Sequence, residues 1–170
     1  ERDQPMGADL GAPVPPRRIL CVDDEPVVLR LLSDVLEMDG HQVETRASGM
    51  EAIGAFHNAL ATGASFDLVL TDLGMPDVDG RQVVRAVKHV SPATPVIVLT
   101  GWADLVEPGD DLLGQVHALL KKPLSLEQLQ NALAQLNAKA PDAIAEATPC
   151  PSLSPSTRHD PRTKPSPAPG

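Results

Sequence analysis

An α/β fold, with a five-stranded parallel sheet between two layers of helices, is what this sequence predicts. Short aliphatic runs alternate with longer stretches whose apolar residues recur every three or four positions. Three of those runs, around residues 19–22, 68–71 and 96–99, are almost unbroken in aliphatic residues. Strands that read this way are covered on both faces, which is the condition of a parallel sheet. Composition then bounds the fold. Residues 1–18 carry four prolines and two glycines without apolar periodicity, and residues 141–170 carry eight prolines with Ile144 and Leu153 as their only large aliphatics. Neither stretch can bury enough surface to offset the entropy of ordering it. The expected organisation is a disordered Pro-rich linker over 1–17, a folded domain over 18–139 and a disordered Pro-rich tail over 140–170.

The five expected strands lie in "RILCVDD" (18–24), "HQVETRA" (41–47), "FDLVLTD" (66–72), "TPVIVLT" (94–100) and "HALLKKP" (117–123). Helices fill the intervals. The first places apolar residues at 28, 31, 32, 35 and 36, with Pro26 in its first turn and Gly40 as its stop. The second runs from a Ser48 cap to Gly63, and the third turns Val83, Val84 and Val87 to one side before Pro92. Pro108 and Gly109 shorten the fourth, which should start at Asp110 or Asp111. The fifth opens with Ser125 and Gln128 at capping-box spacing and repeats leucine at 126, 129, 133 and 136. Strands and helices in strict alternation imply right-handed crossovers and the flavodoxin-like (βα)5 order 2-1-3-4-5, with function at the carboxyl ends of the strands.

Charge narrows the function classes. Both tails are neutral overall, so the net charge of −9 falls on residues 19–140, where 17 acids face 8 bases. Such a domain lacks the basic footprint that nucleic acid requires, but it suits a cation. Cys21 and Cys150 make no disulfide framework. No apolar run is long enough for a membrane span, and no secretory signal opens the chain, so a cytoplasmic location without membrane contact is expected. The five histidines show no metal-ligand spacing and read as structural or surface residues.

In the expected topology the first and third strands are neighbours, so Asp23 and Asp24 converge with Asp72, while Thr100 and Lys122 arrive from the far side. Carboxylates held about 4 Å apart at an effective dielectric of about 20 repel by ~4 kcal/mol per pair, so a neutralising cation is required. A hard divalent ion fits: Mg²⁺, with Mn²⁺ as a substitute. Asp72 on a rigid strand end is then a carboxylate nucleophile for phosphoryl chemistry, with the Thr100 hydroxyl and Lys122 ammonium placed to stabilise the phosphoryl oxygens. Met75-Pro76 stiffens the turn that follows, and Gly80 permits a tight entry into the third helix.

Together "CVDDEP", "TDLGMPDVDG", "VIVLTG" and "LLKKP" resemble the receiver domain of two-component response regulators, over about residues 18–138. The resemblance implies that Asp24, Asp72 and the Gly74 carbonyl bind Mg²⁺, with Asp23 helping through water. It implies that Asp72 accepts phosphate from a histidine kinase or a histidine phosphotransfer protein, and that Thr100 and Lys122 sense and hold the phosphoryl group. Met75, Pro76, Gly101 and Trp102 would form the rim. Such a module catalyses nothing beyond its own phosphorylation and dephosphorylation; it switches contact with a downstream protein, as a monomer or weak dimer. The linker-like residues 1–17 favour the receiver of a hybrid histidine kinase over a stand-alone protein.

Two departures from the family pattern stand out. Receivers that signal through the face of the fourth and fifth strands commonly carry Tyr or Phe three residues before the lysine, where this chain has Leu119. The positions that commonly tune hydrolysis hold Gly74 and Trp102, and Trp102 is expected to cover the site and slow loss of the phosphate. A pseudo-receiver that binds proteins without being phosphorylated is the main alternative. A haloacid-dehalogenase-like phosphatase would need a second acid where Gly74 stands, and no glycine-rich loop ends in Gly-Lys-Ser or Gly-Lys-Thr to form a nucleotide site.

Overall fold

The computed structural model describes residues 15–101, 106–107 and 109–138. In chain order its elements are β1 (Arg18–Val22), α1 (Pro26–Met38), β2 (Gln42–Arg46), α2 (Gly49–Ala61), β3 (Leu68–Asp72), α3 (Gly80–Val90), β4 (Val96–Thr100), α4 (Asp111–Gln115), β5 (Ala118–Lys121) and α5 (Leu126–Ala138). All strand pairs are parallel and the order is β2-β1-β3-β4-β5, as the alternation of elements predicts. The tails expected to be disordered lie almost wholly outside the described residues.

Alternation along each central strand divides the core in two. Leu20, Val22, Val69, Val96 and Val98 point to one face, where they meet Ala52 and Phe56 of α2, Val83, Val84 and Val87 of α3 and Leu112 of α4. Ile19, Cys21, Leu68, Leu70, Ile97 and Leu99 point to the other, against Leu29, Leu32 and Leu36 of α1 and Leu129, Leu133 and Leu136 of α5. Burial on both faces is why β1, β3 and β4 read as continuous aliphatic runs. It also pushes the Cys21 thiol up to about 12, so that side chain is an inert hydrophobe.

The helix ends follow local chemistry. Pro26 occupies the first turn of α1, Ser48 accepts the Glu51 amide, Asp79 accepts the Gln82 amide, and Ser125 and Gln128 exchange a reciprocal pair of bonds at the start of α5. α4 is a single short turn capped by Asp110, whose other carboxylate oxygen lies 2.5 Å from Arg81 Nη1 at the start of α3. That ion pair joins residues 29 positions apart, and no local sequence pattern announces it.

Two apolar positions depart from the expected helix faces. Leu31 and Leu126 are each 52% exposed, whereas Leu29 is buried in the core of α1. Leu31 and Leu126 instead flank a shallow slot between α1 and α5, lined also by Leu32, Val35, Leu124 and Leu129. A helical stripe broad enough to cover the sheet extends past its edge, and the outermost leucines seal the seam between neighbouring helices.

His41 is a structural histidine. It is buried at the entry to β2, and its Nδ1 accepts the backbone amide of Arg17 at 3.2 Å. Burial holds its pKa below the usual 6.5, the Arg17 charge acts in the same direction, and Asp39 opposes both. The unfolded chain therefore takes up this proton first. The stabilisation is complete above about pH 6.5 and declines as pH falls below that value. Between about pH 7 and 5, the stability of His41→Asn should fall less steeply than that of the unaltered protein. Equal slopes in chemical denaturation would contradict this.

Gly80 opens α3 hard against the strand it follows. A Cβ there would lie 2.2 Å from the Asp72 carbonyl oxygen and 2.8 Å from Leu73 Cα. Its backbone amide closes the loop by donating to the Leu73 carbonyl at 3.2 Å. Gly80→Ala should cost about 1–3 kcal/mol, read from the denaturant midpoint, because rigid backbone rather than a side chain must move. An unchanged midpoint would show that the close approach does not constrain the loop.

Candidate functional site

The parallel register delivers every predicted polar residue to one edge of the sheet. Val22 pairs with Thr71, Asp72 with Leu99, and Thr100 with Lys121, so Asp23, Asp72, Thr100 and Lys122 all stand at the carboxyl ends of neighbouring strands. Lys122 is held there by its own backbone, whose amide donates to the Thr100 carbonyl at 2.8 Å. Its peptide bond to Pro123 is cis.

Burial separates the acids. Asp23 is fully buried and Asp72 nearly so, whereas Asp24 faces solvent. Oxygen atoms of Asp23, Asp24 and Asp72 lie within 4.8 Å of one another. Lys122 Nζ sits among them, 2.7 Å from Asp23 Oδ2 and 3.1 Å from Asp72 Oδ1, with Glu25 Oε1 farther out at 3.6 Å. Apart from that ammonium, Asp23 Oδ2 has no hydrogen-bond partner among the described residues. Its other oxygen accepts the Glu25 amide at 2.9 Å, and its backbone amide donates to the Arg46 carbonyl at the end of β2.

One ammonium among this many carboxylates leaves the site short of positive charge. Like-charged pairs at about 4–5 Å and an effective dielectric of about 20 each cost ~3–4 kcal/mol. Burial raises the Asp72 pKa above the usual carboxylate value; the Lys122 contact opposes it, and the charges of Asp23 and Asp24 reinforce it. For Lys122, burial acts to lower the pKa, but its bonds to Asp23 and Asp72 outweigh burial and leave it raised. Buried and solvent-facing carboxylate oxygens at this spacing are the hard donor set that a small divalent cation takes, and the unpaired lone pairs of Asp23 suit the same ion.

The loop after Asp72 is folded tightly. The Gly74 amide donates to Asp72 Oδ2 at 3.2 Å, Val78 donates to the Pro76 carbonyl at 2.8 Å, and Asp77 takes a left-handed conformation at φ 63°. Met75 is buried beneath it, while Gly74, Pro76 and Gly101 are exposed. Thr100 is buried at the end of β4. Leu119 is half-buried in β5 and packs on the α2–α3 side of the core. Trp102 lies outside the described residues.

Sequence reasoning overlooked the roles of Glu25 and Arg46. Glu25 is the N-cap residue of α1 but makes no side-chain cap; its carboxylate lies towards Lys122 instead. Its place in "DDE" was the available signal. The Arg46 carbonyl has none, because a backbone acceptor depends only on register.

The family model for the response regulator receiver domain matches residues 19–134. The transcriptional regulatory protein TcrA of Mycobacterium tuberculosis is 33% identical over 124 residues, covering 73% of this chain and 47% of TcrA. The sensor histidine kinase RcsC of Salmonella typhi is 34% identical over 116 residues, covering 68% of this chain and 12% of RcsC. The chain thus spans under half the length of these relatives. Among solved structures, the response regulator protein TrrA of Thermotoga maritima, in complex with Mg²⁺-BeF, superposes with a TM-score of 0.62 at 27% identity, over 71% of this chain and 98% of TrrA. Among the described residues no helix is long and apolar enough to cross a membrane. With its sheet order and acidic edge, the chain belongs to the response regulator receiver domain family, the phosphoacceptor modules of two-component signalling.

Proposed function

We propose that Asp72 is the phosphoacceptor and that Asp23, Asp24, Asp72 and the Gly74 carbonyl hold a Mg²⁺ ion, which Mn²⁺ can replace. The observation that carries this reading is the clustering of three carboxylates within 4.8 Å at an edge where Lys122 supplies the positive charge. When bound, the metal neutralises carboxylate charge and polarises the phosphoryl oxygens. One Asp72 carboxylate oxygen attacks the phosphorus of a phosphohistidine on a histidine kinase or histidine phosphotransfer protein. The P–N bond breaks, the imidazole leaves with its electron pair, and an acyl phosphate forms on Asp72. Lys122 then exchanges its carboxylate contact for a phosphoryl oxygen, and the Thr100 hydroxyl takes another. That TrrA, a solved structure of the same fold, is in complex with Mg²⁺-BeF supports a metal and a phosphoryl-like group as ligands of this chain.

On this reading 18–139 is the receiver, between a Pro-rich linker and a Pro-rich tail, and it promotes only its own phosphorylation and dephosphorylation in the cytoplasm. Its output is an altered contact with a downstream protein, as monomer or weak dimer, without nucleic acid. Leu119 replaces the aromatic readout, so that output does not depend on a rotating ring.

Intact mass after incubation of the full chain with acetyl phosphate tests the reading. The expected outcome is a single added phosphate that requires Mg²⁺ and is absent in Asp72→Asn. No addition, where another receiver is modified under the same conditions, would leave a protein-binding module that is never phosphorylated. Addition to Asp72→Asn at an equal rate would move the acceptor elsewhere.

A further inference from the structure

The loop that carries Gly74, whose carbonyl is proposed above as a metal ligand, is braced from outside the site, and the brace is a glycine on another helix. Gly49 is buried as the first residue of α2. A Cβ there would lie 2.4 Å from the Val78 carbonyl oxygen, 2.7 Å from Val78 Cγ1 and 3.0 Å from Val78 Cβ. Val78 belongs to the segment between Asp72 and α3, and its amide forms the turn onto Pro76 next to left-handed Asp77. The other end of that segment is fixed by Gly80 against the Asp72 backbone.

A glycine at this point is not explained by the helix it begins. Ser48 already caps α2, and alanine, with less backbone freedom to lose, favours a helix over glycine. On helix stability alone, position 49 would be better filled by alanine than by Gly49. Gly54, in the same helix, makes the contrast: a Cβ there meets nothing within 4 Å. What Gly49 permits is the close seat of Val78.

We infer that Gly49 is a positioning residue for the phosphoacceptor site: by letting the start of α2 sit against Val78, it sets where the segment after Asp72 lies and so aims the Gly74 carbonyl. The inference rests on the receiver reading above. Ordinary contact begins near 3.4 Å, so a methyl group at position 49 drives the Val78 carbonyl back by about 1 Å. Displacements of that size at a reacting centre cost on the order of 10²-fold, and loss of groups that orient metal ligands costs roughly 10–100-fold in affinity.

The test compares the full chain with Gly49→Ala and Gly54→Ala. Three quantities are read: the unfolding midpoint, the Mg²⁺ dissociation constant and the rate of phosphorylation by acetyl phosphate. Amide exchange over residues 73–80 of the metal-free protein gives a readout independent of activity. Gly49→Ala should weaken Mg²⁺ binding and slow phosphorylation by roughly 10-fold or more, with faster exchange over 73–80. Gly54→Ala should match the unaltered chain in all but a slightly higher midpoint. Adding Val78→Gly to Gly49→Ala removes both side-chain clashes and frees the segment to retreat, so folding recovers while Mg²⁺ affinity stays low. A folded Gly49→Ala, or a folded double variant, with unaltered Mg²⁺ affinity, rate and exchange overturns the inference. An unaltered chain that takes no phosphate would instead overturn the receiver reading.

Discussion

The site depends on an imbalance of charge. Lys122 is the one cation within reach of Asp23 and Asp72 among the described residues, and it touches both. The sheet enforces this crowding. β1 and β3 are adjacent and in register, so the residues that follow Val22 and end β3 cannot move apart without breaking the ladder. Repulsion that a mobile surface would dissipate is therefore retained, and it adds to the burial that chiefly raises the Asp72 pKa. On the proposed function, a bound cation would relieve it, and an incoming phosphoryl group would draw Lys122 away from the carboxylates. The same imbalance thus favours both metal and modification.

Rigidity at this edge comes from backbone close packing more than from polar contacts. Gly80 seats α3 on the Asp72 carbonyl, and Gly49 lies against Val78. The Asp23 amide is tied to β2 through the Arg46 carbonyl, and Lys122 to β4 through the Thr100 carbonyl. Five strand ends are thereby held in fixed relation, with Asp23 and Asp72 buried and Asp24 open to solvent. At the start of α3, the Arg81–Asp110 pair anchors an α4 reduced to five residues.

Much of this was legible because it depends on side-chain type at strand ends. Alternating periods dictated the sheet, continuous aliphatic runs marked its buried strands, and acids directly after β1 and at the end of β3 marked the site. Ser48 and Ser125 announced their helices through capping chemistry, and Pro108-Gly109 announced the late start of α4 at Asp110. Other features left no such trace. Leu29 and Leu31 are equally apolar, and only the wrap of α1 over the sheet decides that Leu29 is buried. Gly49 looked like an ordinary residue after a cap, because its partner Val78 is brought to it by tertiary packing. The Arg81–Asp110 pair likewise exists only once α3 and α4 are neighbours.

The most direct test of the charge imbalance is the stability of Asp72→Asn beside the unaltered chain, without metal and with Mg²⁺. Because folding raises the Asp72 pKa, the ionised carboxylate costs stability, and the neutral amide should make the metal-free protein harder to unfold. Mg²⁺ at ten times its dissociation constant should then stabilise the unaltered chain by about 1.4 kcal/mol and the variant by less. If metal-free Asp72→Asn is instead the weaker protein, and Mg²⁺ stabilises both equally, Asp72 is an ordinary structural partner of Lys122 and the account fails.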